Sequence, residues 1–305
     1  CTTGNSNVAI GGEALDGNTT GSSNTAVGTQ ALQTSSTTAN QTAVGYQALK
    51  NATGGENTAV GYIALLDNTT GARNTAVGQF AAENNTTGDD NSAFGRNTLA
   101  ANTTGPQNTA IGSGSLEDNT TASYNTAVGY KALPNNTTGT RNTALGHNAM
   151  EDNTTGGYNT AVGMYTLLTN TTATGNTAVG YSALFANTTG DNNVAIGNNA
   201  LDANTTASYN TALGKDALTN STTGSHNTAI GFQALDHNTT GSDNTGVGNN
   251  VLSANTTGNN NIGIGRDALA TATTASDNVG IGKNALVDCT TGSNAVAIGS
   301  NACAN

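Results

Sequence analysis

Three cysteines, three histidines and nineteen carboxylates are the residues of this 305-residue chain best able to do chemistry. Their placement argues against catalysis. His147, His226 and His237 fall at unrelated places, and no Ser-His-Asp arrangement can be assembled from them. Acidic residues such as Asp16, Glu117 and Asp202 stand at variable sites and read as solvated faces, and the Gly-Gly-x-Gly-x-Asp calcium repeat is missing. The expectation is therefore a chain that is not an enzyme and uses no cofactor and no metal. Thiol chemistry is the exception. Cys1, Cys289 and Cys303 make an odd set, which in a secreted protein points to pairing between chains.

What must position these residues is a tandem repeat, since repeats are sought first. The glycine that ends each Asn-Thr-Ala-Val-Gly-like run recurs eighteen times, from Gly11 and Gly28 to Gly282 and Gly299. Every interval is 17 residues except Gly45 to Gly61, which is 16. The consensus is N-T-A-V-G-x-x-A-L-x-x-N-T-T-G-x-x, numbered here as positions 1 to 17 of a coil. In the short coil, Asn51-Ala52-Thr53-Gly54 stands where others carry Asn-Thr-Thr-Gly. Glycine and Asn-Thr-Thr-Gly in every period would break a helix. Positions 1 to 5 alternate instead, as a strand does. The fold expected is all-β: a single-stack parallel β-solenoid or β-roll of about eighteen 17-residue coils, one continuous domain over residues 1–305 with no linker. At about 4.8 Å per coil it would form a rod of roughly 85 Å.

Alternation assigns faces. Position 4 is Val, Ile, Leu or Phe throughout, and position 2 is Thr, Val or Ile almost everywhere, so both are expected to face the core. The Leu column at position 9 (Leu15 to Leu286, admitting Ala82, Met150 and Cys303) is expected to join them. Position 3 would then face outward. Its small residues, as at Ala26, Ala76, Ala127 and Ala229, suggest close packing by another strand of rod, or a turn with no room for more. Asn-Thr-Thr-Gly is expected to be a second short strand or an extended turn.

The runs Asn7-Val8-Ala9-Ile10-Gly11, Asn193-Val194-Ala195-Ile196-Gly197 and Ala295-Val296-Ala297-Ile298-Gly299 resemble the head repeats of trimeric autotransporter adhesins. Similar repeats occur in bacteriophage tail fibres. The resemblance implies a surface-exposed parallel β-roll, often adhesive and trimeric.

Composition excludes several classes. Only eight Lys and Arg oppose nineteen Asp and Glu, a net charge of −11, so there is no basic patch for nucleic acid. No apolar run is long enough to insert in a membrane as a helix. The expected location is extracellular, the cell surface or a virion fibre. The repeat phase of the last residues continues into that of the first, again at a 17-residue interval. Cys1 and Cys289 share position 12 and would sit on adjacent coils of successive copies, with Cys303 close by. Head-to-tail copies forming a filament are the leading expectation; a trimeric adhesin or tail-fibre module, or other lateral self-association, is the alternative. Sequons at Asn18, Asn68, Asn102, Asn119, Asn153, Asn187, Asn204, Asn238 and Asn255 would carry glycans if they face outward, and would form an internal Asn ladder if they do not. Ice binding is a minor expectation, because the two adjacent Thr of each Asn-Thr-Thr should point opposite ways.

Overall fold

A computed structural model describes residues 3–303. Among them are eighteen strands of three residues each and no helix. The chain divides into two compact units, Cys1–Thr155 and Gly156–Asn305. The first carries β1 (Val8–Ile10) to β9 (Thr143–Leu145), the second β10 (Thr160–Val162) to β18 (Val296–Ile298). Strands within each unit pair in parallel with equivalent positions opposed: Val77 lies beside Phe94, and Ala178 beside Ala195. Each unit is a β-solenoid with turns of about 17 residues, as the period implied.

Hydrogen bonds join neighbouring coils around the whole turn, not only along the strand. The position 2 amide of Thr25 donates to Gln41 of the next coil at 2.8 Å, and that of Gly28 donates back to Ile10 at 2.7 Å. On the far side Leu32 donates to Ala48 at 3.1 Å, Thr19 to Ser36 at 2.8 Å, and Ser23 back to Asn5 at 2.9 Å. This disposes of backbone groups that three-residue strands alone would leave unpaired.

The tight turns require left-handed backbone at three positions per coil: 7, 9 and 17. Positions 7 and 17 are rich in Asn and Asp, such as Asn97, Asp216, Asn192 and Asp243, which tolerate that conformation best. Position 9 is left-handed although it is Leu (Leu116 has φ 49°, Leu133 φ 53°), and those side chains are fully buried. Position 5 must be glycine on two counts. Gly129 has φ 135°, and a Cβ there would lie 2.5 Å from the carbonyl oxygen of Gly146.

The interior reverses the expected faces. Ala26, Ala76, Ala127 and Ala229, expected to face outward, have no exposure at all, while positions 2 and 4 lie on the outer side of the strand. Space decides this. The Leu of position 9 fills the coil opposite the strand, leaving room for a methyl group or less. A Cβ on Gly263 would come within 2.6 Å of Val251 and 3.3 Å of Leu252. Val251 stands where most coils have Ala, and position 3 beside it is Gly246 and Gly263, so added volume on one wall is matched by loss on the other.

Asn-Thr-Thr-Gly is a pair of bends with no second strand. The 16-residue coil is also placed differently from the sequence alignment. Ala52, not Asn51, occupies position 12, because its amide donates to Leu49 as that of Asn18 does to Leu15. Gly54 supplies both the amide that bonds to Thr69 and the carbonyl that accepts from Gln41, and so does the work of positions 14 and 15.

Candidate assembly surface

Two columns of buried asparagine hold the strand in register. At position 1, the Oδ1 of Asn74 accepts the amide of Asn91 at 2.9 Å, while its Nδ2 donates to Gly88 at 2.7 Å. At position 12, the Nδ2 of Asn102 donates to Asn85 in the neighbouring coil at 2.7 Å and to Gly105 in its own coil at 2.9 Å. This second ladder runs unbroken from Asn68 to Asn153 in the first unit. In the second unit Asn170, Asn187 and Asn204 form one run and Asn238 with Asn255 another, and Ser221 lies between them.

The ladder settles where the sequons lie. Asn18 is 2% exposed, and Asn68, Asn102, Asn119, Asn153, Asn187, Asn204, Asn238 and Asn255 are at 0%. A glycan on any of these Nδ2 atoms would have to occupy the interior of the folded coil. The following Thr is tied down as well: Thr103 Oγ1 donates to Thr120 at 3.0 Å. The second Thr, as at Thr87 and Thr104, is exposed.

With the ladders and Ala columns inside, the outer face of each sheet carries positions 2 and 4. In the first unit the position 4 column is Ile10, Val27, Val44, Val60, Val77, Phe94, Ile111, Val128 and Leu145. Every one is at least partly solvent-accessible; Phe94 is 39% exposed, Ile111 41% and Leu145 45%. The second unit repeats this with Ile196, Leu213 and Ile264 among its exposed members. Position 2 alongside is mostly Thr, and neither column contains a charge. Beyond the position 5 turn, position 6 adds exposed Tyr46, Tyr62 and Tyr130 in the first unit and Met164, Tyr181 and Phe232 in the second.

Nine coils at about 4.8 Å and five residues at about 3.3 Å give each unit a strip of roughly 700 Å². The Thr column makes part of that strip polar, which leaves an apolar area on the order of the largest patch on a typical monomer, a few hundred Å². Parallel sheets, moreover, are ordinarily covered on both faces.

The cysteines divide. Cys1 lies outside the described residues. Cys289 is half-buried at position 12, where its thiol sits 3.4 Å from the Gly292 carbonyl in the place of an Asn amide. Cys303 is exposed, and both are free thiols. The histidines stay apart: His147 stacks on Tyr130 at 5.3 Å, His226 on Tyr209 at 5.1 Å, and His237 contacts Asp236. Among the described residues no group of His, Cys, Asp and Glu could hold a metal ion, and no helix is long and apolar enough to cross a membrane. The outward face of positions 2 and 4 was missed in the sequence because alternation marks two faces without saying which is inside. No model of a known protein family matches the chain, and no curated protein matches it.

Proposed function

We propose that this chain is a structural solenoid whose exposed sheet face packs against copies of itself, making it a subunit of a larger fibre or adhesive stalk. The observation that carries this is the uncharged column of Val, Ile, Leu and Phe on the outer face of a parallel sheet. Burying it removes apolar surface from water at about 25 cal/mol per Å², and the regular coil spacing lets two such columns mesh along their length. A location outside the cell rests on the resemblance of the Asn-Val-Ala-Ile-Gly runs to adhesin heads and tail-fibre repeats.

Sedimentation velocity tests the reading. The wild-type chain at tens of micromolar is expected to sediment as a dimer, trimer or larger species. Val77→Lys combined with Ile111→Lys, both on the outer face and therefore compatible with folding, is expected to give monomer. A monomeric wild-type chain at that concentration would overturn lateral packing.

Head-to-tail stacking is the second reading. It rests on the repeat itself: every coil presents the same register to its neighbour, so a coil of another copy matches it as well as one of its own. Electron micrographs separate the arrangements: filaments that survive the double Lys variant support stacking, and dispersed particles count against it.

A further inference from the structure

Positions 6, 7 and 10 vary from coil to coil, so large side chains that gather there are not required by the repeat. One such gathering lies in the second unit. Elsewhere position 10 is commonly polar or small, as at Gln33, Lys50 and Thr219. In two successive coils it becomes Leu168 and then Phe185. Tyr165 stands at position 7 and Tyr181 at position 6 of the same two coils, their rings 6.1 Å apart and nearly perpendicular. These four side chains wall an open cavity of about 450 Å³, completed by Ser182, Asn199 and Asp202.

The lining pairs flat apolar rings with a hydroxyl, a carboxamide and a carboxyl. Burial pushes the Asp202 carboxyl above its usual range, against hydrogen bonds from nearby backbone amides, so it already sits in a partly desolvated place. The size and the mixture of aromatic walls with a few convergent polar groups are those of a small-molecule site. A similar combination occurs on the same edge of the first unit. There Tyr62 stacks on Tyr46 at 5.4 Å and meets Phe80 edge-on at 5.6 Å, Leu66 fills position 10, and burial raises the Glu83 carboxyl in the next coil.

We infer that the Tyr165–Tyr181–Phe185 groove binds the pyranose ring of a neutral carbohydrate. A pyranose has an apolar C–H face that lies against an aromatic ring and a rim of hydroxyls that both donate and accept. Asp202 accepts from such hydroxyls, the Asn199 amide donates and accepts, and Ser182 does either. A quaternary ammonium would also lie against the rings and the carboxyl. It offers no acceptor, however, to the Ser182 hydroxyl or to the second N–H of Asn199, whose first donates to Asp216 at 3.4 Å. Tyr181 alone is shared with the strip proposed for self-association, whereas Tyr165, Leu168, Phe185 and Asp202 lie beyond it, so sedimentation of the groove variants separates loss of sugar binding from loss of assembly.

Saturation-transfer NMR on the full chain tests it, with methyl β-D-glucoside, N-acetylglucosamine and a neutral hexose tetrasaccharide as probes. Irradiating the tyrosine and phenylalanine protons is expected to transfer signal to ring C–H protons of at least one sugar. Its Kd should be on the order of 1 mM for a single ring. The double variant Tyr181→Asn with Phe185→Thr uses residues that the same columns carry at Asn198 and Thr219, so it is expected to fold. It should weaken binding tenfold or more, and Asp202→Asn should weaken it severalfold. The inference is overturned if none of the sugars shows transfer, if the double variant binds as the wild type does, or if tetramethylammonium displaces the sugar at equal or lower concentration.

Discussion

At the scale of the residue, the coil's demands are conformational before they are hydrophobic. Position 9 needs a side chain that fills the interior from a left-handed backbone. Its occupants are Leu, Met150, Ala82 and Cys303, with no β-branched residue among them, whereas position 8 next door admits Val251, Thr98 and Thr166. The sequence shows this column as apolar; the structure adds why Val and Ile are missing from it. Leu116→Met is expected to cost less than about 1.5 kcal/mol. Leu116→Ile, of equal volume, is expected to cost about 2 kcal/mol or more beyond that, because a β-branched residue at φ 49° is strained. Urea denaturation of the two variants checks this, and equal midpoints would contradict it.

At the scale of the element, the strand is short and the asparagine ladders do much of its positioning. The breaks in the position 12 ladder leave a signature. The Oδ1 atoms of Asn204 and Asn255 are buried without a hydrogen-bond partner, and the next coils carry Ser221 and Ala272, which have no amide to offer. Ser221→Asn is expected to join the Asn187–Asn204 run to the Asn238–Asn255 run and to stabilise the second unit by about 1 kcal/mol. Asn119→Ala, which breaks the intact ladder of the first unit, is expected to destabilise by about 1–3 kcal/mol because it orphans Asn102 Oδ1. Denaturant midpoints that move the other way for both would refute the ladder's role. The ladder was legible in the sequence as one of two possibilities for the sequons; burial chooses between them.

At the scale of the whole molecule, the inner coils of each unit bond to the coil before and the coil after, so the 17-residue period is the unit of exchange. Deleting residues 108–124, one full coil, brings Gln107 onto Asn125 in phase and keeps every column aligned. That variant is expected to fold with a circular dichroism spectrum scaled only by length and a slightly lower midpoint. Deleting residues 108–116 shifts the phase, sets the Asn ladders against unrelated positions, and is expected to lose cooperative unfolding in the first unit. Two indistinguishable melting curves would show that register does not govern this fold.

The sequence by itself determined the period, the parallel solenoid and the place of the position 5 turn glycines, because each of these repeats eighteen times and local chemistry suffices to specify it. It could not determine which face of the strand is inside. Alternation of Thr, Ala and Val is equally consistent with either choice, and apolarity favours placing Val within. Only the tertiary structure shows the space left across the coil by the position 9 Leu. That space admits a methyl group, so Ala26 and its equivalents go in and Val27 and its equivalents are left facing out. The same inversion turns the sequons into an internal ladder and leaves the outer face, not the Ala column, exposed for the proposed packing between copies.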